Sequence, residues 1–156
     1  MAIEIERKFL VKKGKLPALH NAILIQQAYI PTANGTTVRV RLAGDKALLG
    51  IKSQAVNLTR REYEFLIPVA DAKEMLKEVC SANLVEKQRY LVQHAGLTWE
   101  IDVFQGNNDG LIVAEVELDS EDQQIDLPHW VDEEVSGDPR YSNYNLATMP
   151  YCSWAG

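Results

Sequence analysis

The chain has 156 residues, of which 46% are apolar and 24% are charged, and its formal net charge is −6. This length fits one domain with its own core, and the composition is that of an ordinary soluble globular protein. The acidic balance argues against a general nucleic-acid binder, whose phosphate contacts require a basic surface.

Signals for export, for membrane insertion and for a metal site of histidines or cysteines are missing from the sequence. The N-terminus lacks a basic region followed by an apolar run, and no apolar run approaches the length that spans a bilayer. Cys80 and Cys152 lack CxxC spacing, which predicts free thiols in a reducing cytoplasm. His20, His94 and His129 are scattered and show no metal-ligand spacing.

Eight β-strands are predicted from the alternation of apolar and polar residues. Turn signals at residues 31–35 and 43–46 join neighbouring strands as hairpins, so the sheet should be largely antiparallel. In chain order, the predicted strands cover residues 3–9, 23–30, 37–42, 47–54, 61–67, 86–92, 97–104 and 111–118.

Helical segments are expected in three places outside these strands. Asp71 is predicted to be the N-cap of a helix over residues 72–80. The acidic segment 120–135 is expected to be helical in part, and a helical turn is expected near residues 145–149. Since no linker or low-complexity run interrupts the chain, a single domain is predicted over residues 1–156.

The charges on the predicted strands are sorted by sign. In seven strands one face is apolar and the opposite face is charged, with acidic pairs at i and i+2 on four strands and basic pairs on two. A sheet with its charged face in water is the simplest explanation. A charged face in water would be more stable if acidic and basic side chains were mixed along and across its strands, because like charges close together destabilise a sheet. Eight strands suffice to close a barrel, whose charged faces would point inward if helices cover the apolar ones.

The predicted lumen combines eight carboxylates with six cations. The carboxylates are Glu4, Glu6, Glu62, Glu64, Glu100, Asp102, Glu115 and Glu117. The cations are Lys8, Arg39, Arg41, Lys52, Lys87 and Arg89. Burying so many charges is costly unless each finds a partner, so separate acidic and basic clusters imply a ligand that carries both signs. Carboxylates suit Mg²⁺ or Mn²⁺, whereas arginine and lysine suit phosphate oxygens, and a polyphosphate with its divalent metal satisfies both.

The opening motif Glu4-Ile5-Glu6-Arg7-Lys8 resembles the ExExK signature of the CYTH superfamily, the triphosphate tunnel metalloenzymes. Segment 137–147 also resembles the tail of this family. The further matches, in family order, are Arg39-Val40-Arg41, Lys52, Glu62-Tyr63-Glu64, Lys87-Gln88-Arg89, Asp102 and Glu115-Val116-Glu117. The resemblance implies a mainly β fold with flanking helices, in which an eight-stranded antiparallel closed barrel binds a triphosphate and requires divalent metal.

The resemblance also implies roles for individual side chains. The metal-binding carboxylates would be Glu4, Glu6, Asp102, Glu115 and Glu117. The phosphate-binding set would be Lys8, Arg39, Arg41, Lys52, Lys87 and Arg89. Glu62 and Glu64 would either bind metal or orient the lumen cations. For Glu100, two roles stay open: a functional one in the site, or a structural one as the ion-pair partner of a buried cation.

The chemistry implied is metal-assisted phosphoryl transfer to water. One metal would bridge phosphate oxygens, a second would lower the pKa of a bound water, and the cations would stabilise charge on the phosphoryl oxygens. Lys52 and Tyr29 are the candidate catalytic residues. Tyr29 lies on the same face of its strand as Gln27 and could assist proton transfer near a lysine. The alternative is that Tyr29 serves in packing or makes a contact at the end of the tunnel.

Hydrolysis of inorganic triphosphate is the favoured activity, because the chain is small and shows no nucleobase pocket. A thiamine triphosphatase would need a surface for the organic cation, and alternation places Trp99 and Tyr63 on the outer face. An adenylate cyclase would need an adenine site, and a polyphosphate-binding module without turnover is the alternative outside the enzymes. We therefore expect a cytoplasmic enzyme whose partner is a small-molecule triphosphate, with neither nucleic acid nor membrane. The sequence leaves the oligomeric state open, with a homodimer as one option.

Overall fold

The computed structural model describes residues 2–80 and 84–154, and these residues form nine β-strands and two α-helices. The strands are β1 (Ile3–Val11), β2 (Ile23–Ile30), β3 (Thr37–Ala43), β4 (Lys46–Lys52), β5 (Thr59–Ile67), β6 (Val85–His94), β7 (Leu97–Gln105), β8 (Ile112–Glu117) and β9 (Val131–Glu134). The helices are α1 (Val69–Glu78) and α2 (Asn143–Thr148). None of the helices in these residues has the length and apolar character needed to cross a membrane.

The first eight strands close into an antiparallel barrel. Neighbouring strands follow the order β5-β4-β3-β2-β6-β7-β8-β1, and β1 then pairs with β5 to complete the ring. The closing register places Ile3 opposite Arg61 and Ile5 opposite Thr59. The predicted fold class, a mainly β closed barrel of eight antiparallel strands, is confirmed.

One edge of β1 changes its partner along the strand. Ile3–Ile5 pair with β5, whereas Phe9 and Val11 pair with β9. Between these two partners, the backbone N–H of Lys8 donates to Ser136 Oγ at 2.9 Å. A seam therefore separates β5 from β9 beside the middle of β1.

The apolar faces of the strands point outward, and the peripheral segments cover much of this surface, although Tyr63 and Phe65 on β5 stay exposed. Trp99 is fully buried on the outside of the barrel, with its ring 5.6 Å from Phe9 and 5.5 Å from Trp130. Helix α1 packs against β3 and β4 through the buried Ala72. Because the apolar faces are used outside, the charged faces line the interior.

Helix α1 begins earlier than its predicted start. Its first residue is Val69 and its N-cap is Pro68, so Asp71 lies in the first turn and is not the N-cap. The ring of proline fixes φ near the value required there, which lets the chain leave β5 and enter the helix at once. An aspartate in the first turn remains favourable, because it faces the positive end of the helix dipole.

The two C-terminal expectations had different outcomes. Segment 120–135 contains no helix, and its last residues form β9. The free edge of β1 explains this, because pairing with it satisfies backbone groups that a helix would otherwise have to satisfy. The expected helical turn near 145–149 is present as α2, which starts two residues earlier, and Ser142 caps it by accepting from the N–H of Asn145 at 3.1 Å.

Candidate active site

The inward-facing charges surround one cavity of about 240 Å³ inside the barrel. Twelve of the fourteen predicted site residues line it: Glu4, Glu6, Lys8, Tyr29, Arg39, Arg41, Lys52, Glu62, Glu64, Arg89, Glu115 and Glu117. Glu100 lines it as well. The remaining two predicted residues, Lys87 and Asp102, are fully buried in the wall and contact the cavity through Arg89.

Arg39 crosses a gap that a glycine creates on the lumen face of β4. The register places Gly50 between Arg39 and Glu64, and Arg39 Nη2 reaches Glu64 Oε2 at 3.0 Å. A Cβ at Gly50 would lie only 3.3 Å from Arg39 Nη2. Within the described residues, the buried Arg39 Nε has no hydrogen-bond partner. A buried donor left in this state costs about 1–3 kcal/mol, a cost that any acceptor entering the cavity at this position would offset.

Lys52 is held between two carboxylates from neighbouring strands. Its Nζ lies 3.1 Å from Glu4 Oε1 and 3.3 Å from Glu62 Oε2. Burial lowers the pKa of Lys52, but the charge of Glu4, joined by those of Glu6 and Glu62, raises it above the ordinary value. The ammonium is therefore kept charged inside the cavity.

Lys87, Asp102 and Arg89 form a closed ionic cluster in the wall between β6 and β7. Asp102 Oδ2 lies 2.7 Å from Lys87 Nζ, and Asp102 accepts two hydrogen bonds from Arg89 at 2.8 and 2.9 Å. Burial raises the pKa of Asp102, but the charges of Lys87 and Arg89 outweigh it and hold the pKa below the usual value. Burial lowers the pKa of Lys87 to about 7 in spite of the opposing Asp102 charge. Arg89 Nη1 also donates to Glu100 at 3.0 Å, so Glu100 is positioned as an ion-pair partner.

Acidic side chains crowd together where β1 meets β8. The register places Glu6 opposite Glu117 and Lys8 opposite Glu115, with 3.7 Å between Lys8 Nζ and Glu115 Oε1. Burial raises the pKa of Glu6 to about 8, and the charges of Glu115 and Glu4 act in the same direction. Burial also opposes ionisation of Glu115, but the charges of Lys8 and other lumen cations hold its pKa far below the usual range. This crowding of oxygen ligands is the condition that a bound cation would relieve.

Five of the seven predicted metal ligands are paired with lumen cations, whereas Glu6 and Glu117 make no ion pair with the described residues. Among residues 2–80 and 84–154, no three Asp, Glu, His or Cys side chains lie close enough together to hold a metal ion. Glu4 and Glu62 are turned toward Lys52, Glu64 toward Arg39, and Asp102 toward the closed cluster. Lumen cations therefore neutralise most of these acids, and the crowded acids between β1 and β8 are only partly compensated.

One family model matches nearly the whole chain: the CYTH domain, over residues 2–148. The chain belongs to the CYTH domain family. It is 43% identical to an inorganic triphosphatase of Acetivibrio thermocellus over 151 residues, which are 97% of each chain. It is 40% identical to an inorganic triphosphatase of Nitrosomonas europaea over 148 residues, 92% of this chain and 96% of the relative.

A solved structure extends this likeness to the fold of the CYTH domain. The crystal structure of an inorganic triphosphatase is 38% identical to this chain and superposes with a TM-score of 0.67. The match covers 100% of this chain and 99% of the other. The predicted family is therefore confirmed.

Tyr29 lines the CYTH lumen beside residues of the C-terminal segment. Its hydroxyl accepts a hydrogen bond from Gln27 Nε2 at 3.3 Å, and the same amide group accepts from Arg41 Nε at 2.8 Å. The ring of Tyr29 packs edge-to-face on Tyr144 at 5.3 Å. Burial lowers the pKa of Arg41 to about 10, and the charges of Arg39 and Arg89 add to the effect.

Several lining residues of the CYTH lumen escaped the sequence prediction. Arg60 lies on the same strand face as Glu62 and Glu64, so the alternation contained the signal, but the strand was predicted to start two residues too late. Ser142, Asn143 and Tyr144 also line the cavity. They lie in segment 137–147, which resembles the tail of the family, but no strand alternation there could have placed them in the lumen. Asn143 Oδ1 accepts from Lys87 Nζ at 3.0 Å, and the carbonyl of Tyr141 accepts from Lys8 Nζ at 3.1 Å.

Proposed function

We propose that this CYTH protein is an inorganic triphosphatase, which hydrolyses a phosphoanhydride bond of tripolyphosphate. The observation that carries the proposal is the lining of the lumen, where cations from five strands face one cavity of about 240 Å³. Among the described residues, no aliphatic side chain lines this cavity. A small polyanion fits such a lining better than a substrate with a large organic part. The names of the relatives from Acetivibrio thermocellus and Nitrosomonas europaea point to the same substrate.

The lumen cations would bind the phosphate oxygens by exchanging partners. Arg39 and Lys52 now hold carboxylates that line the same cavity. A polyphosphate would take over the cations, and the carboxylates released in this way would need a positive partner of their own. This exchange supports a substrate that arrives with a divalent cation.

The donor set fits Mg²⁺ or Mn²⁺, because it contains oxygen ligands alone. Glu4, Glu6, Glu115 and Glu117 lie on the adjacent strands β1 and β8 and would hold the cation. Glu62 and Glu64 are further candidate ligands from the same lumen, and Asp102 is a candidate from the wall, where Lys87 and Arg89 now hold it. When bound, the cation would neutralise phosphate charge and lower the pKa of a water molecule.

Lys52 and Tyr29 are the proposed catalytic residues. The Lys52 ammonium is held charged and faces the cavity, so it can stabilise negative charge on the phosphoryl oxygens as the bond to the leaving group breaks. Tyr29 presents a buried hydroxyl whose position is set by Gln27. It can hold or pass a proton at that hydroxyl. Lys8, Arg41, Lys87 and Arg89 complete the proposed phosphate-binding set.

We also propose that the protein acts in the cytoplasm. Cys80 and Cys152 are free thiols in the structure, as a reducing compartment would keep them. Fractionation of the source cells followed by an activity assay would test this, and activity found outside the cytoplasmic fraction would contradict it.

The activity is tested with purified protein and three substrates: tripolyphosphate, ATP and thiamine triphosphate, each with Mg²⁺ or Mn²⁺. Released phosphate and cyclic AMP are both measured. We expect phosphate from tripolyphosphate at the highest kcat/KM and no cyclic AMP. Preferred turnover of either organic substrate would overturn the proposal, as would tight tripolyphosphate binding without hydrolysis, which is the behaviour of a binding module.

A further inference from the structure

A second cavity of about 470 Å³ lies beside the lumen, at the seam where β1 changes its partner from β5 to β9. Loop 54–58 forms one wall and segment 135–139 forms another. Four side chains line both cavities and mark the boundary between them: Glu6, Lys8, Arg60 and Ser142. This side cavity therefore adjoins the charged interior at the middle of the barrel wall.

Arg60 differs from the other cations of the interior because its charge is not already held. The six predicted cations each contact an acidic or amide partner: Glu115 for Lys8, Glu64 for Arg39, Gln27 for Arg41, Glu4 for Lys52, and Asp102 for both Lys87 and Arg89. Among the described residues, the Arg60 guanidinium makes no hydrogen bond and no ion pair. It therefore offers its N–H donors without first giving up a partner.

The position of Arg60 directs this free charge at the interior. Arg60 lies opposite Glu4 in the β1–β5 register and shares its face with Glu62 and Glu64. It is only partly exposed, so water screens it less than a surface arginine. A planar guanidinium in such a place suits two oxygens of one phosphoryl group.

We propose that Arg60 is a further substrate-binding residue, which takes the terminal phosphoryl group of the triphosphate at the boundary between the side cavity and the lumen. This inference rests on the proposed function. The other cations must give up a carboxylate or, for Arg41, an amide to bind phosphate, whereas Arg60 can bind at first contact. Its role is to bind and position the substrate, and cleavage of the bond depends on the groups deeper in the lumen.

The test compares the steady-state kinetics of Arg60→Ala and Arg60→Lys with those of the wild type on tripolyphosphate. Loss of a charge-assisted contact predicts a rise in KM of about tenfold to a hundredfold in Arg60→Ala, with kcat within about twofold. Arg60→Lys keeps the charge without the two-pronged geometry, so its KM should lie between those of the wild type and Arg60→Ala. Arg61→Ala is the matched control, because Arg61 is the next residue on β5 and is exposed. Its KM should equal that of the wild type.

An unchanged KM in Arg60→Ala would overturn the inference, and so would equal shifts in Arg60→Ala and Arg61→Ala, which would report net charge alone. If Arg60→Ala does not fold, Arg60→Lys carries the test, and a wild-type KM in that variant overturns the inference. If the wild type does not hydrolyse tripolyphosphate, the proposed function fails separately. Calorimetric binding of tripolyphosphate to the wild type, Arg60→Ala and Arg61→Ala then decides, and equal affinities in all three overturn the role of Arg60.

Discussion

The two sides of the lumen hold their charges in different ways. Between β6 and β7, Lys87 and Asp102 are 0% and 1% exposed, lie 2.7 Å apart and are sealed from solvent. Across β3, β4 and β5, Glu64 is 36% exposed, and Lys52 divides its charge between two acids. The sealed pair resembles a structural element, because breaking it would leave an uncompensated buried charge. The open pairs keep contact with solvent through Glu64 and Glu62, so their cations can exchange a carboxylate for a ligand that enters the cavity.

The largest effect is expected where the sealed cluster is broken. Asp102→Asn preserves shape but leaves Lys87 and Arg89 facing a neutral amide in a buried site. We expect a loss of about 3–5 kcal/mol in the free energy of unfolding, measured with urea. Glu64→Gln breaks an open pair and serves as the control, with an expected loss of no more than about 1 kcal/mol. Equal losses in the two variants would erase the distinction between the two sides.

The open side should respond in activity and not in stability. Lys52→Met removes the ammonium between Glu4 and Glu62 while it keeps the length of the side chain. We expect kcat for tripolyphosphate to fall by about a hundredfold to a thousandfold, because charge on the phosphoryl oxygens loses its nearest stabilising group. The unfolding midpoint in urea should stay close to that of the wild type. A stable variant with wild-type kcat would remove Lys52 from the proposed mechanism.

A smaller effect is expected from Gly50→Ala, which tests how Arg39 is positioned. The new Cβ would lie 3.3 Å from Arg39 Nη2, so the guanidinium must shift within the open side. We expect kcat/KM for tripolyphosphate to fall by about tenfold, since small displacements of a binding group are costly in catalysis. Gly14→Ala is the control, because a Cβ at Gly14 meets nothing within 4 Å. Equal kinetics in the two variants would show that the space left by Gly50 has no role in positioning Arg39.

The smallest effect is expected outside the lumen, at the pair of Arg7 and Glu134. Glu134 accepts two hydrogen bonds from Arg7 at 2.8 and 3.0 Å, and these bonds lower its pKa from the ordinary 4.5. Glu134→Gln should cost about 0.5–1 kcal/mol of unfolding free energy near pH 7 and leave tripolyphosphate turnover unchanged.

The pH dependence of this difference follows from the sign of the shift. Because folding lowers the pKa of Glu134, the contribution to stability is present above pH 4.5 and is lost as the pH falls through the folded value. The free energies of unfolding of the wild type and Glu134→Gln, measured with urea, should therefore become equal in acid. A difference that grows as the pH falls would contradict this explanation.

The alternation of charge along the strands was sufficient to predict the barrel and its inward face, because a period of two fixes which side chains share a face. It could not show that Asp102 is sealed while Glu64 is open, since burial depends on the curvature of the whole barrel. Segment 120–135 was predicted as partly helical from its composition alone. Tertiary pairing with the edge of β1 decided its structure, as often happens for weak local preferences.

Two kinds of lumen residue show where sequence reasoning ends. Arg60 could have been found, because it continues the parity of Glu62 and Glu64 and only the predicted strand boundary excluded it. Asn143 and Tyr144 could not, because they reach the lumen through the path of the C-terminal tail, which no local pattern encodes. The partner exchange proposed for the lumen cations likewise needed distances, which a sequence does not contain.

The most direct test of the central claim, that the inward-facing charges form a triphosphate site, is phosphate release from tripolyphosphate by the wild type and Arg41→Ala. Arg41 is buried in the lumen wall and keeps its positive charge toward the cavity, whereas the exposed Arg61 on β5 provides the control substitution. We predict that the wild type and Arg61→Ala release phosphate at similar rates. Arg41→Ala should lose at least about tenfold in kcat/KM. Equal rates in all three proteins, or no release by any of them, would contradict the claim.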